Sequence, residues 1–308
     1  MRDIRSLLLA IGLTFVTTFG GTPAVMAQSI DPAEVKRAME ALNNGDFPAA
    51  LAVLKPMADN GDPFAQFSMG QMAETGGGMP KNSREAARWY KLAVESGQTD
   101  AMTNLGFLYE QGRGVPQDYK EALRLYTAAA TSGNPVAQTN LANSYLEGKI
   151  VKQDYVEAAK WYRNAAAQYD AQAQFNLARM YDTGRGVDKD PKEALNLYRQ
   201  AANLGLPAAQ LNLGVAYAEG RGLPKDPVEA HRWFNLASGA AEEDNTRNNA
   251  TRNRDVIGAT MTPAQVEQAQ ALARDWKPLV PPGPAVAPSP SAALGAGPAK
   301  PGTSTTPK

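Results

Sequence analysis

Apolar and polar positions follow two helical stripes that recur together down most of the chain. Over 101–109, Ala101, Asn104, Leu105, Leu108 and Tyr109 fall at i, i+3, i+4, i+7 and i+8, one face of an α-helix. Ala122, Leu125, Tyr126 and Ala129 make a second such face. Between them Gly112 ends the first helix, as a left-handed C-terminal glycine does, and Asp118 opens the second, with Glu121 three residues on completing a capping box. The pattern predicts helix, glycine-rich turn, helix.

That pair repeats. Ala-Gln-x-Asn-Leu-Gly or a near copy returns every 36 residues, and five units run without insertion over 61–96, 97–132, 133–168, 169–204 and 205–240. The second-helix cap recurs as Asn82 with Glu85, Asp154 with Glu157, Asp190 with Glu193 and Asp226 with Glu229, and Pro191 and Pro227 take the favoured first helical position. Small residues stand at one column, Ala86, Ala122, Ala158, Ala194 and Ala230, where neighbouring helices must approach closely. Units of this size cannot bury their apolar faces alone and stack on one another, so the fold class is all-α, an α-solenoid of helix-turn-helix repeats.

The flanks read differently. Arg2 and Arg5, an apolar run from Leu7 to Phe19 and the small residues around Ala27 make 1–27 an export signal cleaved after Ala27, because the run is interrupted and shorter than the ~20 apolar residues of a membrane span. Residues 28–60 form an N-terminal helical cap and a half-matched repeat, in which Gly45-Asp46-Phe47, Ala50, Leu51, Leu54 and Ala58 copy the second-helix pattern. Residues 241–277 form C-terminal capping helices, the last opened by Thr262-Pro263 with Gln265 and carrying Val266, Ala269, Leu272, Ala273 and Trp276. Residues 278–308, rich in Pro, Ala, Gly, Ser and Thr without an aromatic, read as a disordered tail.

Charge and rare residues narrow the chemistry. Lys plus Arg and Asp plus Glu both number 31, and loss of Arg2, Arg5 and Asp3 with the signal leaves 29 against 30, so no global bias points to nucleic acid. Cysteine is absent and histidine occurs once, as His231, which removes disulfides, thiol catalysis and Cys/His zinc sites. His231 fills a column otherwise held by Ala87, Leu123, Ala159 and Leu195, so packing explains it. The glutamates at 85, 121, 157, 193 and 229 are explained by capping, and no catalytic, cofactor-binding or metal-binding residues are assigned.

Written as Ala-Gln-x-Asn-Leu-Gly-x-x-Tyr-x-x-Gly-x-Gly-Val-x-x-Asp-x-x-Glu-Ala-x-x-Trp-Tyr-x-x-Ala-Ala, the units resemble Sel1-like repeats, relatives of the tetratricopeptide repeat, over 45–240. The closing Met261-Thr262-Pro263-Ala264-Gln265 and Arg274-Asp275-Trp276-Lys277-Pro278 are similar to the ending of exported bacterial members. The resemblance implies a right-handed superhelix and a protein-binding role. Gly148-Lys149-Ile150 departs from it by losing the second loop glycine, and Thr75-Gly76-Gly77-Gly78 by replacing the charged residue.

Partner selection is expected where the repeats differ. Nearly opposite the packing stripe of the first helix stand Phe64, Phe67 and Gln71; Asp100, Thr103 and Phe107; Val136, Thr139 and Asn143; Gln172, Phe175 and Arg179; and Ala208, Leu211 and Val215. These either line a concave groove or pack between units. At the border of the stripe, Asn104, Asn140, Asn176 and Asn212 either hold an extended peptide backbone or bond across helices. The candidate partner-binding set is Phe64, Phe67, Thr103, Asn104, Phe107, Thr139, Asn140, Asn143, Phe175, Asn176, Arg179, Leu211, Asn212 and Val215. A second surface is the cationic turn edge of Arg113, Lys149, Arg185 and Arg221, with Lys81, Lys189 and Lys225 just downstream. The glycine pairs flanking Arg113, Arg185 and Arg221 have neither a preceding strand nor a following Gly-Lys-Ser/Thr, so they are turns and not phosphate loops.

The function expected is a periplasmic or secreted, monomeric, non-enzymatic adaptor that holds a peptide or helix of an envelope or secreted protein, with no cofactor and no stable membrane insertion after signal cleavage. Three or four apolar anchors at ~1.5–3 kcal/mol each have to offset an association cost of ~4–15 kcal/mol, so affinity depends on contacts spread along the groove. The rival from another class is an envelope hydrolase acting on cell-wall or β-lactam-type substrates.

Overall fold

The computed structural model describes residues 32–281, and within them 14 helices and no strand. The expected export signal at 1–27 and the expected tail beyond 281 lie outside the described residues. Two compact units divide the chain, one over residues up to 96 and one over 97–280.

The first unit holds α1 (Pro32–Asn43), α2 (Phe47–Asp59), α3 (Pro63–Thr75) and α4 (Ser83–Glu95). Its core is Ala38, Ala50, Leu54, Met57, Ala65, Met69, Met72 and Trp89, so the half-matched repeat packs as a full neighbour of the first. Phe47 lies under the Gly77-Gly78 backbone, where a β-carbon on Gly78 would stand 2.8 Å from the Phe47 β-carbon. The glycines that depart from the repeat pattern thus leave room for a ring.

The second unit holds α5 (Thr99–Gln111), α6 (Tyr119–Thr131), α7 (Pro135–Glu147), α8 (Tyr155–Ala166), α9 (Ala171–Thr183), α10 (Pro191–Asn203), α11 (Pro207–Glu219), α12 (Pro227–Ala240), α13 (Asp244–Gly258) and α14 (Pro263–Asp275). Each odd helix from α5 to α11 is the first of a repeat, and the even helix after it packs against it and against the next repeat. The alanine column is fully buried, 0% exposed at Ala122, Ala158, Ala194 and Ala230, which confirms close helix approach. The first helices end on glycines in the left-handed region, among them Gly112 at φ 65° and Gly184 at φ 70°. Tyr169 adopts the same left-handed conformation, φ 63°, at a column that is glycine in the other four repeats, a strain of roughly 1–2 kcal/mol.

The second-helix caps form, but only half of the expected box does. Asp118 Oδ1 accepts from the amides of Lys120 and Glu121, and Asp154, Asp190 and Asp226 do the same in their repeats. Their glutamates turn to the residue three further on, Glu121 to Arg124, Glu157 to Lys160 and Glu229 to Arg232, as does Glu85 to Arg88 in α4. A side-chain cation attracts a carboxylate more strongly than one more backbone amide does, so capping does not account for these glutamates. The Arg88 hydrogen bond also holds the Glu85 carboxyl below the usual carboxylate range. The reciprocal box is complete at α14, where the Gln265 side chain accepts from the Thr262 amide while Thr262 Oγ1 accepts from the Gln265 amide.

Beyond α12 the chain folds back. Ala269 and Ala273 are buried, Trp276 lies edge-on to Trp233 with ring centres 6.3 Å apart, and Leu272 faces out. The first residues of the expected tail are held too, since the Leu279 amide donates to the Asn203 carbonyl at 2.7 Å. His231 is 5% exposed, packed where α13 ends against Gly258.

Candidate partner-binding surface

The first-helix face resolves into side chains that bond within the scaffold and side chains that face out. Thr103 and Thr139 are buried, 1% and 5% exposed, because each hydroxyl reaches the N-terminal cap of the next repeat's first helix. Thr139 donates to Asp170 at 3.1 Å, and Thr103 lies 3.5 Å from the Asn134 oxygen. A bound partner therefore meets neither threonine, and both leave the candidate set. Asn104, 2% exposed, leaves it for the same reason. Burial raises the Asp170 carboxyl above its usual range, against the hydrogen bonds that it accepts.

The aromatic candidates also serve packing. Phe67 stands 6.0 Å from the Tyr90 ring in the first unit, and Phe64 packs into the core beside it. Phe175 stands 5.7 Å from the Tyr198 ring and packs between the cores of the fourth and fifth repeats. Phe107 is half-buried, with the Arg113 guanidinium 5.9 Å from its ring centre.

Of the border asparagines Asn176 bonds across helices, while the buried Nδ2 of Asn140 meets no acceptor. Asn176 Nδ2 donates to Asn143 Oδ1 at 3.3 Å and lies 3.2 Å from the Tyr162 hydroxyl, which donates to Asn143 as well, so α7, α8 and α9 share one network. Asn140 and Asn212 are half-buried. Outward positions that vary between repeats remain: Gln172 and Arg179 are exposed, and Val136, Leu211 and Val215 are half-buried, whereas Asn143 is held in that network.

Tyr162 belongs to a column whose role the sequence pattern does not reveal. Tyr126 donates to Glu110 and Tyr198 to Asp182, each at 2.9 Å, and Tyr90 to Glu74 does likewise in the first unit. In the third repeat Leu146 replaces the acid and Tyr162 turns to Asn143; in the fifth Ala218 replaces it and Phe234 replaces the tyrosine. Burial, reinforced by Glu110, raises the Tyr126 hydroxyl well above the ordinary tyrosine range, and burial together with Asp182 does so for Tyr198. Both remain protonated donors.

The signature glutamine has a role that sequence reasoning missed as well. Gln66, Gln138, Gln174 and Gln210 each donate to the carbonyl eight residues earlier, Ala58, Ala130, Ala166 and Ala202, at 3.1–3.3 Å. Those carbonyls end the preceding helix and lack a partner within it. The glutamines' presence in the six-residue pattern is the available signal.

The four cations at the turn position of the edge, Arg113, Lys149, Arg185 and Arg221, are each engaged. Lys149 lies 3.7 Å from Glu110 and 5.5 Å from the Tyr119 ring centre, Arg185 lies 6.0 Å from that of Tyr155, and Arg221 bonds Glu219 at 2.7 Å. Gly186 lets its turn rest on α8, because a β-carbon there would collide with the Tyr155 carbonyl oxygen.

Comparison with known families matches Sel1 repeats at 63–98, 99–134, 135–170, 171–206 and 207–240. The chain belongs to the Sel1 repeat family. The family frame starts two residues after the units read from the sequence, with the same period. Among solved structures, a Sel1 repeat protein from Oxalobacter formigenes is 29% identical, covering 79% of this chain and 100% of its own, with a TM-score of 0.67. A protective antigen of uropathogenic Escherichia coli displaying an SLR fold is 30% identical over 84% of this chain, with a TM-score of 0.65, and the match spans 54% of that longer protein. Comparison with curated proteins returns no match. Sel1 repeats typically mediate protein–protein interaction, and nothing in this chain points to a hydrolase. Among the described residues no group of His, Asp and Glu is placed to hold a metal ion, and no helix is long and apolar enough to cross a membrane.

Proposed function

We propose that this Sel1 repeat protein is an exported, non-enzymatic adaptor that holds a peptide segment or helix of an envelope or secreted protein on the first-helix face of its second unit. The observation that carries the reading is a division of labour along α5, α7, α9 and α11. Ala101, Ala137, Ala173 and Ala209 are all 0% exposed and identical, while the position before each differs in all four: Asp100, which accepts from the Asn134 side chain, and the outward Val136, Gln172 and Ala208. Packing constrains the first set; a ligand is what the second is free to match.

The test is photo-crosslinking in cells that make the full chain, with the crosslinker at Val215. Gln172→Arg with Arg179→Glu changes two exposed side chains and should cut capture at least ~10-fold, about 1.4 kcal/mol, while the melting temperature holds. Unchanged capture would remove this face from the reading. The mature chain recovered from the same cells should begin at Gln28, and a chain that still begins at Met1 would remove export.

A further inference from the structure

We propose that the cleft between α10 and α11 is a receptor for the ammonium of a lysine side chain on a protein partner, which rests on the adaptor reading and names the chemistry at one point of its surface. The cleft has a volume of about 300 Å³, at the lower end for ligand pockets and suited to one side chain. Asp182 and Asn212 supply its acceptors, Leu195 and Ala216 its apolar wall, and Arg221, whose charge is shared with Glu219, also lines it.

The chain itself shows what such a cleft takes. Two repeats earlier, Glu110 stands where Asp182 does and accepts the Tyr126 hydroxyl as Asp182 accepts that of Tyr198. There the turn of the following repeat supplies Lys149, whose Nζ lies 3.7 Å from Glu110 Oε1. The tyrosine-bonded carboxylate is thus met by a lysine from within. At the later position Arg221 stands in the place of Lys149, yet its Nε is turned to Glu219 at 2.7 Å.

The walls change in the same sense. Tyr119, Ser144, Ile150 and Glu110 around the earlier site correspond to Pro191, Ala216, Gly222 and Asp182 around the later one, and each replacement is smaller. Ile150 packs into the hydrophobic cluster of its repeat, whereas Gly222 leaves the Leu195 side chain at the cleft wall. The missing volume is the cleft.

Lysine fits better than arginine. The Tyr198 hydroxyl donates to Asp182 Oδ2, which leaves Oδ1 and its lone pairs for the ligand. An ammonium needs one carboxylate oxygen and finds a second acceptor in the Asn212 side chain, while a guanidinium fork needs both carboxylate oxygens together. The apolar wall suits a four-carbon stem.

The experiment titrates Nα-acetyl-lysine methylamide into the full chain and follows the Asn212 side-chain amide and the Gly222 backbone amide by NMR. The expected result is saturable shifts with a Kd on the order of 1 mM, and binding at least ~10-fold weaker for the norleucine and arginine analogues. Asp182→Asn should weaken the lysine probe by the same factor. Pro191→Tyr should also weaken it, and as tyrosine already opens α6 and α8 the helix start is kept. Equal binding of the norleucine analogue, absence of saturable shifts, or indifference to Asp182→Asn each overturns the lysine receptor. If Asp182→Asn leaves cellular capture intact while Gln172→Arg with Arg179→Glu abolishes it, the receptor falls and the adaptor stands.

Discussion

Tyr126 and Tyr162 occupy one column, one repeat apart, and are held by different means. Tyr126 donates a hydrogen bond to Glu110 inside its own repeat, and that carboxylate then meets Lys149 of the next. Tyr162 donates one to Asn143, which also accepts from Asn176, so neutral groups span the third and fourth repeats. The charged arrangement sits at an edge, where Glu110 is 20% exposed and Lys149 is 45% exposed, and water moderates the cost of burying charge. The neutral one is half-buried at Asn143 and Asn176 and carries no charge. Identical packing columns therefore leave each junction free to choose its own polar lock without any change of fold.

The comparison assumes that apolar packing supplies the common background. Leu141, 1% exposed in the cluster shared with Tyr126, tests it: Leu141→Ala should cost ~2–5 kcal/mol in chemical denaturation, more than any change at the locks. A smaller loss than that of a lock variant would reverse the ranking. Next, Tyr162→Phe should cost ~1–3 kcal/mol, because it takes a partner from the side chains of both Asn143 and Asn176, and Tyr126→Phe about 1 kcal/mol or less, because Glu110 keeps Lys149 and water. Equal losses would show that the neutral network is worth no more than a single bond.

The smallest effect concerns two caps, Asn134 and Asp170, which hold their helices alike and receive Thr103 and Thr139 alike. Burial raises the folded-state pKa of Asp170. Such a group adds stability that is complete below its unfolded pKa, about 3.9, and is lost as pH rises through the folded value. Asp170→Asn should flatten that part of the pH–stability profile and be neutral or stabilising by up to ~1 kcal/mol at pH 7. A loss at pH 7 would mean that the cap needs its charge.

The helices, their period and their caps were legible because they depend on residues a few positions apart. The contacts between repeats were not. Thr103 and Thr139 read as groove positions because nothing inside one repeat shows that their partners are the caps of the next. For Asn176 a bond across helices is one of the two sequence readings, but its partner Asn143 reads as a groove position. The Asp182 cleft escapes because it is a difference between two junctions, visible only when several separate columns are compared together.

The signature glutamines give the chain a direction. Each one closes the helix end of the unit before it, never of the unit after, so a repeat owes part of its integrity to its successor. Trimming from the C-terminus exposes a fresh carbonyl at every step, whereas trimming the second unit from its N-terminus strands only a side chain that can turn to water. Repeats that emerge in chain order would thus be sealed one behind the other, each arriving with the amide that finishes the last.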